Sequence, residues 1–435
     1  MEGSILDQSV AQLHLQTPIP ESPISKSPIS KSPVPDSRLA AQSLSTAPSV
    51  FLDIVRFLAA LTVAIGHLSE NIFTTGWPQA LMSCAEGAVA VFFVLSGFMI
   101  RYVTTVKYGD LRRFTVDRVA RIYSVAIPAI ALTILFDSIS AHMNPGYYAA
   151  FGTSAERIPA FLPFARTLFS LIWFRTLFRV ILSLAMLSQS WFRDSSPLSN
   201  SPFWSLSYEC VYYALFGIVL YLRGRKRVVA CVVLFLLIGP TIFLMFPLWL
   251  LGCAAYDAYR DGISKRSIAK LLSLSLLSIA CVHGTPALIN HFHAHWFYIG
   301  RMVPWMDTAS IATVAVVLPL CIWLRNIQVS EDHLAIRIIR KVAAATFPLY
   351  LIHFPLFVML AAVVPYPHAS LWAKLALLAT ALTLSILLAG LCDAFKDYLR
   401  HKLMPRRTPS PAPAFRTLAS AADSPKKTAV PSSSR

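Results

Sequence analysis

The sequence has few charged residues for its length. Asp, Glu, Lys and Arg make up 14% of its 435 residues, whereas soluble domains contain about a quarter. Hydrophobic residues make up 56%, and the mean hydropathy is +0.60. This composition excludes an ordinary soluble enzyme. It also excludes a chain that is disordered or collagen-like throughout.

Signatures of several common enzyme classes are absent. The sequence contains no HExxH, GxSxG, Walker A or GxGxxG motif, so metalloprotease, α/β-hydrolase, ATPase and Rossmann functions have no basis in it. None of the seven cysteines forms a CxxC pair, so we predict no disulfide framework and no zinc site. Histidines 291, 293 and 295 alternate, but no cysteine or carboxylate cluster accompanies them, and we predict no metal.

The chain nevertheless carries a net charge of +17. In a soluble protein this excess would suggest nucleic acid, but in a membrane protein it reflects the basic residues of cytoplasmic loops. We therefore predict membrane lipid, and no nucleic acid, as a partner. No feature of the sequence indicates an oligomeric state.

The apolar residues lie between two polar tails. Residues 1–48 are rich in Pro and Ser, and residues 396–435 are basic, so both tails are predicted to be disordered. The tails flank a membrane domain over 49–395, and no secretory signal opens the chain. About ten transmembrane helices are predicted, at 49–70, 84–104, 119–140, 204–222, 228–245, 246–259, 268–287, 307–325, 343–364 and 371–393.

The basic linkers test this count. If both termini are cytoplasmic, ten crossings place every basic linker on the cytoplasmic side, as the positive-inside rule requires. The fold class is thus an all-α polytopic membrane protein. The apolar segment 160–192 contains three arginines and is predicted to be interfacial, re-entrant or a double crossing.

The first predicted helix contains three ionisable residues. Arg56 and His67 are eleven residues apart, so they share one face and are separated by about 16 Å along the axis. Asp53 precedes Arg56 by three residues, which is pairing distance on a helix. A structural pair and a buried histidine would satisfy the pattern, but ionisable residues inside membrane helices indicate function.

A carboxylate occupies a similar position in the fourth predicted helix. Glu209 lies near its outer end, at the depth predicted for His67, where a carboxylate can orient an imidazole. Tyr212 and Tyr213 follow Glu209 by three and four residues, so either can face the same cavity. The alternative for Glu209 is a partner among the arginines of 160–192.

Three further groups are candidates for the site. Glu86 lies near the outer end of the second helix, and Ser96-Gly97 near its inner end suits close helix packing. Arg118 and Arg121 are spaced to bind phosphate, although positive-inside anchoring also explains them. His353 lies between two prolines in the ninth helix.

These motifs together resemble the membrane-bound acyltransferase-3 family. Asp53, Arg56 and His67 are similar to its LDxxR opening with an Arg-x10-His spacing, and Phe92–Phe98 to its FFxLSGF signature. Further matches follow in family order across residues 51–355: the RxxR element at Arg118–Arg121, the WSLxxE element over Trp204, Ser205 and Glu209, and YLxH ending at His353.

The resemblance implies a bacterial enzyme with ten membrane helices that takes an acyl group, acetyl being expected, from cytoplasmic acyl-CoA. The group would pass to a hydroxyl of a cell-envelope or exported glycan. Arg118 and Arg121 would hold the donor's phosphates, while His67 would act as general base or acyl carrier. Glu209 would orient His67 or polarise the acceptor, and Arg56 would pair with Asp53 or stabilise the thioester oxygen.

Two alternatives from other classes remain. A transporter of a small anion or lipid-linked sugar would also use intramembrane His, Glu and Arg, but the sequence shows no matching halves. A membrane scaffold would leave Arg56, His67 and Glu209 without a reason for their cost. The acceptor, the acyl chain length and the choice between direct transfer and an acyl-enzyme stay open.

Overall fold

The computed structural model describes residues 44–78, 80–107, 109–152, 172–191, 195–291 and 299–404, and within these ranges the regular structure is helical. A short 3-10 turn spans Ser201–Phe203. The helices are α1 Thr46–Leu68, α2 Ala80–Val106, α3 Leu111–Met143, α4 Pro145–Gly152, α5 Ile172–Leu184, α6 Trp204–Tyr221, α7 Gly224–Ile238, α8 Pro240–Leu244, α9 Phe246–Asp261, α10 Lys265–His291, α11 Ile299–Leu324, α12 Leu334–Ala344, α13 Thr346–Val363 and α14 Leu371–Leu403.

Eight helical segments of the described chain are long and apolar enough to cross a membrane. They are α1, α2, α3, α6, α8 with α9, α11, α13 and α14. Large apolar side chains on the outside of the bundle remain exposed, such as Trp372 at 80% and Leu387 at 68%, which suits a lipid environment. The predicted fold class, an all-α polytopic membrane protein, is confirmed.

Several predicted boundaries differ from those observed. The predicted spans 228–245 and 268–287 overlap α7 and α10, and these two helices are not among the eight segments. The fifth span ends at Gly239, whose φ of 81° favours glycine, so Pro240–Leu244 leads into α9 instead. α1 begins at Thr46 and α14 continues to Leu403, and both helices therefore extend into the predicted tails. Only 172–191 of the segment 160–192 belongs to the described residues.

Ion pairs gather at one end of the bundle, which we call the basic end. Arg400 near the end of α14 lies 2.6 Å from Asp117 near the start of α3. Asp257 near the end of α9 accepts from Arg101 of α2 and Lys270 of α10, each at 2.7 Å. The basic end therefore joins the starts of α3 and α10 to the ends of α2, α9 and α14.

Helices α2 and α9 cross with almost no space between their backbones. A Cβ atom at Gly97 would lie 2.0 Å from the Trp249 carbonyl oxygen, and one at Gly252 would lie 1.9 Å from that of Val94. Both positions therefore require glycine for steric reasons. This contact fixes the depth of α2, and with it the side chain of Ser96.

Polar contacts fix the segment that leads into α6. Asp137 of α3 accepts from the Ser199 backbone N–H at 2.9 Å and from its hydroxyl at 2.5 Å. Pro355 has no N–H, which leaves the Leu351 carbonyl of α13 without its helical donor. Asn200 Nδ2 donates to that carbonyl at 2.8 Å. The start of α6 is thus held against both α3 and α13.

Candidate functional site

A cavity of about 390 Å³ lies between the helices, towards the basic end. Its walls come from the first half of α1, the middle and second half of α2, the starts of α3, α6 and α13, the end of α12 and the last part of α14. Residues of four separate motifs share this cavity, and they are Asp53, Arg56, Phe92, Phe93, Ser96, Arg118, Arg121, Ser205 and Glu209. The Tyr of the YLxH motif, Tyr350, lines it as well.

The cavity lining combines charged and apolar side chains. Five cationic side chains and three carboxylates line it, which leaves an excess of two positive charges. They are Arg56, Arg118, Arg121, Arg340 and Lys396, with Asp53, Glu209 and Asp393. Apart from Ser96, the residues of α2 that line the cavity are apolar, and they are Val89, Phe92, Phe93, Met99, Ile100 and Val103. Such a lining suits an anion joined to an apolar or neutral chain.

Asp53 connects two of the arginines. Its carboxylate lies 3.5 Å from Arg56 on the same helix, which is the pairing that the i, i+3 spacing predicts. Its other oxygen accepts a hydrogen bond from Arg340 of α12, which also reaches Glu331 at 3.4 Å. The pair that the sequence indicates is therefore part of a larger ion network across the cavity.

Glu209 is held by hydroxyl groups within the cavity. Ser96 Oγ donates to Glu209 Oε1 at 2.9 Å, and the Tyr213 hydroxyl donates to the same oxygen. Trp249 Nε1 donates to Ser96 Oγ at 3.1 Å, so the hydrogen of that hydroxyl is available for Glu209. The Arg118 guanidinium lies 5.7 Å from the centre of the Tyr213 ring. Glu209 thus lies among the cavity arginines.

The other candidates on α6 divide between the cavity and the packed interior. Tyr213, rather than Tyr212, faces the cavity; Tyr212 is fully buried and donates to the Ile242 carbonyl at 3.0 Å. Trp204 packs edge-on against Tyr208, with ring centres 5.2 Å apart. Ser205 Oγ lies 2.7 Å from the Tyr350 hydroxyl and so joins α6 to α13.

His67 lies outside the residues that line the cavity, about 16 Å from Arg56 along α1. Its Nδ1 atom is 2.7 Å from Oε1 of Glu70, three residues later in the chain. The structure does not bring Glu209 to His67, because Glu209 bonds to Ser96 and Tyr213. The physical reason is depth: Glu209 contacts the middle of α2, whereas His67 is at the far end of α1.

Two other candidates do lie beside His67. The His353 ring centre is 5.3 Å from that of His67, and the Phe354 ring meets His67 edge-on at 5.1 Å. Glu86 of α2 interacts electrostatically with His67. The close packing of α2 against α1 at this point depends on Gly66, where a Cβ atom would lie 2.3 Å from the Cβ atom of Ala85.

The loop that carries Glu70, residues 69–78, is fixed by neighbouring tyrosines. Tyr147 donates to the Ile72 carbonyl at 3.2 Å, and Tyr366 donates to the Phe73 carbonyl at 3.1 Å. Burial raises the pKa of Tyr366 to about 12, so its hydroxyl remains a donor at neutral pH. Glu70 is therefore presented to His67 by an ordered loop.

Sequence reasoning missed four residues of this arrangement. Glu70 has the same i, i+3 spacing from His67 that Asp53 has from Arg56, and that signal was available. Arg340 lies between the predicted spans 307–325 and 343–364, Asp393 is the last residue of the last predicted span, and Lys396 begins the predicted basic tail. Only the packing of α12 and α14 against α1 reveals them.

Among the described residues no three His, Cys, Asp or Glu side chains are arranged to hold a metal ion, and residues 293 and 295 lie outside that part.

Comparison with known proteins agrees with the order of the motifs. The model of the acyltransferase-3 family, described as an acyltransferase domain, matches residues 49–390. No curated protein and no solved structure matches the chain. The matched range includes His67 and all the residues that line the cavity except Cys392, Asp393 and Lys396. The chain therefore belongs to the acyltransferase-3 family, and it is an acyl-transferring integral membrane protein.

Proposed function

We propose that the protein is an O-acyltransferase that moves an acyl group, with acetyl expected, from acyl-CoA to a hydroxyl of a cell-envelope or exported glycan. One observation carries the proposal. The cavity combines an excess of positive charge with an apolar stretch of α2, and α1 carries both the cavity residue Arg56 and His67.

The donor's phosphates would bind at the charged side of the cavity. Arg118 and Arg121 are one turn apart on α3, and two guanidinium groups at that spacing suit a diphosphate. Arg340 and Lys396 add charge from α12 and α14. The neutral arm of CoA would then extend along the apolar surface of α2 towards His67.

Transfer would take place at His67. With Nδ1 bound to Glu70, the other ring nitrogen is available to take a proton from the acceptor hydroxyl. The hydroxyl oxygen attacks the thioester carbonyl, the C–S bond breaks, and the thiolate of CoA takes the proton from the imidazolium. The ester product and free CoA result, and no other reactant is needed.

The two other catalytic candidates receive different roles in this scheme. Arg56 is about 16 Å from His67 along α1, so it cannot stabilise the oxygen of a thioester that reacts beside His67. We assign Arg56 to donor binding, with Asp53 as its counter-ion. Glu209 is likewise a counter-ion that holds the arginines in place when no donor is bound.

The direction of transfer follows from the charge of the bundle. The basic end carries the ion pairs of Arg101, Lys270 and Arg400, and it would face the cytoplasm under the positive-inside rule. The donor cavity would then open to the cytoplasmic acyl-CoA pool, and His67 would face the outer half of the membrane. We infer a bacterial inner-membrane location with both termini in the cytoplasm.

The test is transfer of label from radiolabelled acetyl-CoA in membranes that contain the wild-type chain, the His67→Ala variant or the His368→Ala variant. His368 is an exposed histidine that stacks on Tyr366, and it serves as the matched control. We expect labelled glycan or lipid-linked glycan with the wild type and with His368→Ala, and a loss of at least 100-fold with His67→Ala.

Near wild-type labelling with His67→Ala would contradict the mechanism, although the family would stand. Absence of label with the wild type would be followed by longer acyl donors and by envelope fractions of the native host. If these also gave no labelled glycan, the proposed reaction would be wrong.

A further inference from the structure

His353 contains a buried hydrogen-bonding atom that the mechanism above does not use. The side chain is fully buried in α13. Its Nδ1 atom is 2.9 Å from the Leu349 carbonyl oxygen, whereas Nε2 has no hydrogen-bond partner among the described residues. Buried polar atoms are nearly always satisfied, so an exception such as this one indicates a missing water or ligand.

The hydrogen bond to Leu349 defines what Nε2 can do. A carbonyl oxygen only accepts, so Nδ1 carries the hydrogen and donates it. In the neutral imidazole Nε2 is then a lone-pair acceptor, and its natural partner is an O–H or N–H group. The site therefore calls for a donor such as a hydroxyl.

The Nε2 acceptor of His353 belongs to a ring that lies beside His67, the residue proposed to deprotonate the acceptor hydroxyl. The two imidazole rings are 5.3 Å apart and tilted by 32°. His67 is fixed through Nδ1 by Glu70, as His353 is fixed through Nδ1 by Leu349. Both histidines therefore offer Nε2 as the acceptor, and the two acceptors belong to adjacent rings.

We propose that His353 accepts a hydrogen bond from a second hydroxyl of the acceptor, next to the hydroxyl that His67 deprotonates. The acceptor would then be a vicinal diol, as many sugar rings provide, and an isolated alcohol would bind less well. This inference rests on the proposed function. It makes His353 a binding residue that discriminates between acceptors.

The experiment compares His353→Phe with the wild type and with the control His368→Phe. Phenylalanine keeps a ring of similar size but has no acceptor nitrogen. Steady-state transfer from radiolabelled acetyl-CoA is measured while the wild-type glycan acceptor fraction is varied, and again while acetyl-CoA is varied. We expect His353→Phe to raise the acceptor KM about three- to tenfold, the effect of one neutral hydrogen bond. The donor KM and the thermal midpoint should not change, and His368→Phe should match the wild type.

A second arm uses the wild-type protein and does not depend on the variant folding. Periodate cleaves the bond between neighbouring hydroxyl-bearing carbons, so treatment of the glycan fraction before the assay should abolish most of its acceptor activity. An unchanged acceptor KM in a folded His353→Phe variant would overturn the inference, as would full use of periodate-treated glycan. Absence of any labelled glycan with the wild type would instead overturn the proposed function, and the inference with it.

Discussion

At the residue scale, the organisation of the site depends on which basic side chain each carboxylate pairs with. Glu70 lies 2.7 Å from His67, Asp53 lies between Arg56 and Arg340, and Glu209 is held among the cavity arginines. Each carboxylate therefore belongs either to the cavity or to His67. Replacing Glu70 should affect the chemical step, whereas replacing Glu209 should affect donor binding.

Glu70→Gln is expected to lower kcat for acyl transfer about 10- to 100-fold, because a charge-assisted hydrogen bond to the imidazole is lost. The donor KM should remain close to that of the wild type, since Glu70 does not line the cavity. Glu70→Asp should recover part of the rate. Kinetics of labelled acetyl-CoA in membranes check this, and a raised donor KM with unchanged kcat would contradict it.

Individual pairings were predictable only where both partners are three residues apart in the sequence. The i, i+3 rule gives Asp53 with Arg56, and the same rule gives Glu70 with His67. The pairing of Glu209 was not predictable, because it depends on how deep α6 lies against α2. The depth of a side chain within a helix does not report the depth of that helix in the bundle.

At the element scale, the crossing of α2 and α9 is the contact on which Ser96 depends. Gly97 and Gly252 let the two backbones meet, and Trp249 then donates to Ser96, which donates to Glu209. The FFxLSGF motif thus combines a packing residue with a residue of the cavity. The sequence permits either a packing role or a site role for Ser96-Gly97. In the structure Gly97 has the packing role and Ser96 lines the cavity.

Gly97→Ala is expected to destabilise the protein by about 1–3 kcal/mol, because its Cβ atom would overlap the Trp249 carbonyl and force the helices apart. Gly390→Ala is the matched control, since no atom lies within 4 Å of a Cβ there. The control should be neutral or slightly stabilising. Thermal unfolding of the purified variants in detergent measures both, and equal midpoints would contradict the role of the crossing.

At the scale of the whole molecule, the cavity is assembled from both ends of the chain. α1 supplies Asp53 and Arg56, while α14 supplies Asp393 and Lys396. A ligand that fills the cavity therefore joins elements that are more than 300 residues apart in the sequence. The order of the motifs predicts membership of the family, but only the tertiary structure reveals the contribution of α12 and α14.

CoA should stabilise the whole bundle against heat, by about 2.7 kcal/mol at a concentration of one hundred times its Kd. Arg118→Ala should weaken CoA binding and reduce this gain, yet slow transfer much less once the donor is saturating. Arg112→Ala is the control, because Arg112 is exposed near the same end of the bundle and does not line the cavity. The measurement is the thermal midpoint against CoA concentration. Equal responses of the two variants would argue against phosphate binding by Arg118.

The packed rings between the cavity and His67 have a consequence for the cell. Phe92 meets Tyr350 at 5.4 Å, and Tyr350 lies 6.4 Å from His353, so aromatic rings stand between the two polar regions. A continuous water column from one face to the other would let protons leak and dissipate the gradient that drives ATP synthesis. In the proposed scheme the rings that guide the acyl group would also keep such a column from forming, so an enzyme that takes substrates from both sides would not act as a proton channel.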